Sequence, residues 1–197
     1  MSRLTIAALA AAIATSAIAL TDAMTRGLTG DDSIFADGSA VPVVEALGDV
    51  VHIACYALLV AVLVLVAGPL FAGHPWRQIL RWALVVAYGL MALGMAAGLL
   101  GPGPDGALAV VVTVGFFAML LLPGVLGLTL LIQHDRSPSA FLLTLTLPAA
   151  VLMFVLPEGW AHPGYAETFA NVGLALLGVG SAVPADRGGR VAAASAT

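Results

Sequence analysis

Long apolar runs alternate along this chain with short polar stretches rich in glycine and proline. Six runs stand out, at residues 4–20, 50–71, 79–100, 107–132, 140–156 and 168–183. A bilayer core takes about 20 apolar residues of α-helix to cross, and these runs approach or exceed that length. Stretches such as "LLVAVLVLVAG" do not alternate at period two, as the strands of a membrane barrel would. The pattern therefore predicts an all-α membrane protein, a bundle of six transmembrane helices in a single polytopic domain, residues 1–184. "AGHPWRQ", "GPGPDG", "QHDRSPS" and "PEGWAHPGYAE" separate the later runs, and their Gly and Pro residues break helices and set turns. The first connection, residues 21–49, is the one sizeable polar segment and is expected to form an outer loop with a short amphipathic piece. The Gly/Ala-rich end, residues 185–197, is expected to be a disordered cytoplasmic tail.

Composition agrees with this reading. The 197 residues are 61% hydrophobic and 9% charged, with a mean hydropathy of +1.07. Soluble domains carry roughly 25% charged residues, so this chain lacks the polar surface to coat a water-facing globule. Its seven basic residues are all Arg and form no block, which excludes a nucleic-acid partner. Their distribution sets an orientation. Arg3, Arg77, Arg81, Arg136, Arg187 and Arg190 fall on one side of a six-span layout, and Arg26 alone falls on the other. Basic residues mark the cytoplasmic side, so the expectation is a multi-pass protein of the cell membrane with both termini cytoplasmic. The first run also carries Ala17-Ile18-Ala19, similar to a signal-peptidase site. Cleavage there would leave five spans; retention is the expectation.

Within the runs, Gly94-x-x-x-Gly98 and Ala166-x-x-x-Ala170 offer small residues for close helix packing. Pro123 and Pro148 interrupt the fourth and fifth runs, where each removes a backbone donor. The lone cysteine, Cys55, excludes an intramolecular disulfide and any multi-cysteine metal site. It reads as a small buried apolar residue.

Candidate chemistry gathers at the outer boundary. The inner halves of the third to fifth runs hold almost no ionisable group, which disfavours a charged path across the bilayer. By contrast Glu45, Asp49, His52 and Tyr56 share one stripe of the second helix at about 100° per residue. Glu167 and Asn171, one turn apart, open the sixth helix from the same side, with Glu158 and His162 in the loop before it. Packing of the second helix on the sixth would bring these groups into one outward-facing pocket. Carboxylate and imidazole together can bind a divalent metal, for which Asp49, His52 and Glu167 are the candidate ligands, or form a general base. The other reading is structural. Acidic residues are favourable near helix N-termini, and His52 can tie helices together by hydrogen bonding. No HExxH, GxSxG or phosphate-binding glycine loop is present, so no cofactor is predicted beyond that metal. His74 and His134 lie on the cytoplasmic side, so the four His residues cannot form one site. Trp76, Trp82, Trp160 and Tyr165 fall at the boundaries, as aromatic belts do.

The layout resembles the six-helix membrane proteins classed as domain of unknown function 998. The likeness lies in a short first span, a polar outer connection and the opening of the second helix, "LGDVVHIACYALLVAVLVLVAG". It lies also in the Gly-x-x-Glu that introduces the last helix, Gly164-Tyr165-Ala166-Glu167. That resemblance implies six helices and draws attention to Glu167, with no activity attached. The functional expectation is a non-enzymatic binding or accessory protein, with an outer-leaflet pocket for a lipid or small hydrophobic ligand. The alternatives are a membrane-embedded enzyme or metal-dependent protein using Asp49, His52 and Glu167, and an oligomeric transporter subunit. Its partners would be the bilayer and either another membrane protein or further copies of itself.

Overall fold

A computed structural model describes residues 1–36, 41–101 and 105–180. The tail expected at 185–197 lies outside these residues, as does the last part of the sixth run. Helices are the regular secondary structure of the described residues, with no strand among them.

Helix α1, Arg3–Thr29, begins at Ser2, whose hydroxyl accepts from the Thr5 amide at 3.1 Å. It ends at Gly30, which takes φ of 78° and donates its amide to the Arg26 carbonyl. A left-handed cap of this kind suits glycine, which has no Cβ to clash. The helix is thus longer than the expected first span, and the outer loop expected at 21–49 shrinks accordingly. Within residues 21–29, Thr21 and Thr29 turn their hydroxyls back onto the carbonyls of Ala17 and Thr25. At 1.5 Å per residue the helix is about 40 Å long, more than the roughly 30 Å hydrocarbon core.

The second run is not one continuous α-helix. Helix α2, Pro42–Ala61, passes into a π-helical turn at Val62–Val66, followed by the single-turn α3, Gly68–Phe71. The Ala67 amide reaches back five residues to the Val62 carbonyl, at 2.9 Å. Pro69, lacking an amide hydrogen, supplies no donor to the turn before it. Carbonyls in this stretch are therefore released from the α-helical ladder. Arg81, on α4 (Pro75–Leu100), takes them up: its Nε donates to Leu63 O at 2.7 Å and its NH2 to Val64 O at 2.9 Å. Its charge also lies 5.8 Å from the Phe71 ring centre and 5.2 Å from that of Trp82. Arg81, expected to be an ordinary positive charge of the cytoplasmic loop, is instead buried within the bundle.

Helix α5, Gly106–Ile132, contains Pro123, and α6, Pro138–Val155, contains Pro148 and is capped by the Ser137 hydroxyl. A 3-10 turn at Glu158–Trp160 leads to α7, Gly164–Gly180. The neighbours α1–α2, α2–α4, α4–α5, α5–α6 and α6–α7 pack in chain order, and α7 closes the ring against α1. Because α7 also touches α5 and α2, it sits innermost, with Ala166, Ala170, Asn171, Leu174 and Ala175 fully enclosed. Five helical segments, Arg3–Thr29, Pro42–Val66, Pro75–Leu100, Gly106–Ile132 and Pro138–Val155, are long and apolar enough to cross a membrane. The innermost helix is shorter, at 17 residues.

Small residues set the closest contacts. A Cβ placed on Gly127 would come within 2.3 Å of the Thr144 amide nitrogen, so α5 and α6 touch backbone to backbone. Ser139 donates to the Gly173 carbonyl at 2.7 Å and ties α6 to α7. Of the expected Gly94/Gly98 pair only Gly94 faces a neighbour, the Val112 side chain; Gly98 faces open space.

Candidate functional site: a polar cavity

At one end of the bundle, residues of α1, α2, α4 and α7 line a cavity of about 390 Å³. Asp22 and Arg26 enter from α1, Asp49, His52 and Tyr56 from α2, Met91 and Met95 from α4, and Glu167 from α7. Residues Phe35 and Ala36 of the 31–36 segment and Pro163 complete the wall. The expected convergence of the second and last helices is thus seen for Asp49, His52, Tyr56 and Glu167. Asn171 lies beneath them, fully buried, and Glu45, one turn closer to the start of α2, is not part of the lining.

The floor is a chain of hydrogen bonds. Tyr56 donates its hydroxyl to Glu167 Oε1 at 2.6 Å, and the Asn171 amide donates to the same oxygen at 3.2 Å. The Asn171 carbonyl oxygen in turn accepts from the Tyr88 hydroxyl at 3.1 Å. All four residues are buried, so each polar group has its partner where water cannot supply one. Tyr56 and Tyr88 also meet edge to face, with ring centres 5.6 Å apart. Tyr88 was not foreseen, since a tyrosine in mid-span carries no sequence mark that separates a hydrogen-bonding role from a packing one.

His52 stands above this floor. Its Nδ1 lies 2.8 Å from the Gly48 carbonyl, which can only accept, so Nδ1 carries the proton of that bond. The other nitrogen, Nε2, is 3.8 Å from Glu167 Oε1, too far for a direct hydrogen bond. The expected tie between His52 and Glu167 is therefore a juxtaposition across the cavity.

A second polar group braces the rim. The His162 ring accepts the Gly164 amide at Nδ1, at 3.0 Å, and donates from Nε2 to Asp22 Oδ2 at 2.8 Å. The other Asp22 oxygen accepts the Ser33 amide at 3.3 Å, holding the 31–36 segment against α1. Phe35 of that segment packs on Gly48. Arg26 pairs with Asp32. Trp160 lies against Gly27, where any side chain would collide with its ring, so this tryptophan is a wedge between the 3-10 turn and α1. Asp22 and Arg26 went unrecognised as site residues because the first helix was expected to stop at residue 20. Their spacing of four on a continued helix is the signal that would have found them.

No group of three His, Cys, Asp or Glu side chains among the described residues is placed to hold a metal ion. No family model, no curated protein and no solved structure matches the chain. What fold and cavity define is a class: an all-helical protein with several helices suited to a membrane, and a polar cavity at one end of its bundle.

Proposed function

We propose that this chain is a cell-membrane protein of six spans with both termini cytoplasmic, and that it binds a small ligand or lipid at its outer face without converting it. The observation that carries the binding reading is the cavity itself: open at one end of the bundle and closed below by the Tyr56–Glu167–Asn171–Tyr88 chain. A buried apolar cluster that includes Leu59, Leu63, Leu84, Leu126 and Leu174 fills much of the bundle, which favours binding over conduction. The Arg distribution supports the orientation. The enclosed position of α7, packed against α1, α2, α5 and α6, supports counting it as a sixth span. A relationship to the proteins of domain of unknown function 998 belongs to the same proposal and rests on the Gly164–Glu167 motif.

Native mass spectrometry of the full chain, gently extracted from membranes, tests the binding reading. A non-protein adduct is expected on the wild type and should be lost when His52→Ala is combined with Glu167→Gln. Bare protein in every preparation, with the double variant changed only in thermal stability, would make the polar cluster structural and overturn the proposal.

A further inference from the structure

The segment that follows α1 forms part of the cavity wall. It leaves the helix at Gly30, where the backbone is left-handed at φ of 78° and a Cβ would meet nothing within 4 Å, so the turn stands in open space. Residues 31–36 then fold on themselves. Ser33 Oγ accepts the Phe35 amide at 3.2 Å, and the Ser33 carbonyl accepts the Ala36 amide at 3.1 Å. Phe35 and Ala36 both line the cavity. Phe35 lies against Gly48, the residue whose carbonyl holds the His52 ring. The phenyl ring of this segment and the imidazole of α2 therefore meet the cavity side by side.

The attachments of residues 31–36 to the helices are slight. The Ser33 amide donates to Asp22 at 3.3 Å, beyond the usual range for such a bond. Arg26 pairs with Asp32, but the two side chains are 40% and 61% exposed, where an ion pair contributes little. Thr29 Oγ1 accepts the Asp31 amide at 3.1 Å, next to the turn itself. The helices beneath share a buried apolar cluster in which residues 31–36 take no part. Elements with few buried apolar contacts are the first to open. The acceptor that receives Ser33 is nonetheless fixed, because the other Asp22 oxygen is 2.8 Å from His162 at the α7 entry.

We propose that residues 31–36 are a strap that gates the cavity. In the shut position seen here, Ser33 is latched to Asp22 and Phe35 covers the cavity on its Gly48 side. Release of Ser33 swings the strap about Gly30, carries Phe35 away and opens a path to His52 and Tyr56. A hinge of this kind needs only a few residues to absorb the backbone change. The use of the gate rests on the binding reading above. Its opening is measured without a ligand, so the two fail separately.

A Cβ on Gly48 would lie 4.0 Å from that of Phe35, within the span of a disulfide. Phe35→Cys with Gly48→Cys, made in the full chain together with Cys55→Ala, should therefore oxidise to a lock that reduction releases. The readout is carbethoxylation of His52 by diethylpyrocarbonate in mild detergent, followed by peptide mass spectrometry. His74, before α4, and His134, after α5, stand exposed at the far ends of those helices and serve as references. A covered group reacts in proportion to the open population. His52 should thus react about tenfold more slowly in the oxidised pair than in the reduced one, with His74 and His134 unchanged. Ser33→Pro, in the otherwise unaltered chain, removes the latched amide and spares the Asp22–His162 contact. It should speed the His52 reaction about tenfold over wild type, and Asp22→Ala should do the same. The two variants cover each other should one fail to fold. Equal His52 rates in the oxidised and reduced pair, or failure of the pair to oxidise, overturn the gate. Wild-type rates in both Ser33→Pro and Asp22→Ala overturn the latch. The full effect in protein whose native spectra hold no adduct upholds the strap and overturns the binding reading. An adduct without the effect does the reverse.

Discussion

The Arg81 guanidinium donates to the Leu63 carbonyl at 2.7 Å, across the point where the second span leaves α-helical geometry. A buried arginine and a broken hydrogen-bond ladder are each unfavourable alone; together they satisfy one another. Arg81→Met should leave the carbonyls of Leu63 and Val64 without their donor, at a cost of about 2–4 kcal/mol. The measurement is the thermal midpoint in detergent, where Arg81→Lys should fall between Met and wild type because a lysine lacks the planar fork.

Tyr56 and Tyr88 test the cavity floor separately. Tyr56→Phe removes the short donor to Glu167 and should cost about 1–3 kcal/mol, since a carboxyl oxygen loses a partner in a buried site. Tyr88→Phe leaves Glu167 both of its donors and should cost about 1 kcal/mol. Chemical or thermal unfolding of the two variants side by side should show that order.

Asp22 joins three segments: α1 itself, the 31–36 segment through Ser33, and the α7 entry through His162. Asp22→Ala should free the 31–36 segment and Phe35 with little effect on the span packing. Hydrogen exchange should therefore rise at residues 31–36 while α5 and α6 remain protected.

The backbone contact at Gly127 leaves no room for a side chain. Gly127→Val should force α5 and α6 apart and destabilise by about 1–3 kcal/mol or more, as overpacking does. Gly98→Ala, facing open space, should leave the midpoint unchanged or slightly raised. The two glycines make an internal control for each other in one thermal-melt series.

Orientation has its own test. A reporter fused after Thr197 should be found in the cytoplasm, and Asp31→Cys, at an exposed position, should react with a membrane-impermeant reagent from outside.

The helical character of the spans was legible because burial in lipid demands long apolar stretches, and those stand out in any window. Their ends were less legible. Helix α1 runs past its apolar part as far as the left-handed cap at Gly30, a feature that does not raise hydropathy. The stripe of Asp49, His52 and Tyr56 could be read from helical spacing, and Glu167 from its place opposite. Arg81 could not be read inward, because its partners are main-chain carbonyls exposed by a change of helix type rather than side chains visible in the sequence. Asp22 was hidden for a related reason: its role follows from how far α1 continues.

The wide turn at Val62–Val66 holds one residue more than an α-helical turn needs. Everything after it is rotated by about 100° from where an unbroken helix would put it. The upper and lower parts of the second span therefore keep separate phase, the upper aligned with the cavity and the lower with Phe71 and Arg81. Removal of a single residue from that turn would mend the ladder and misalign one part or the other. A deletion in that turn should therefore cost far more than a substitution on the exposed side of the same segment.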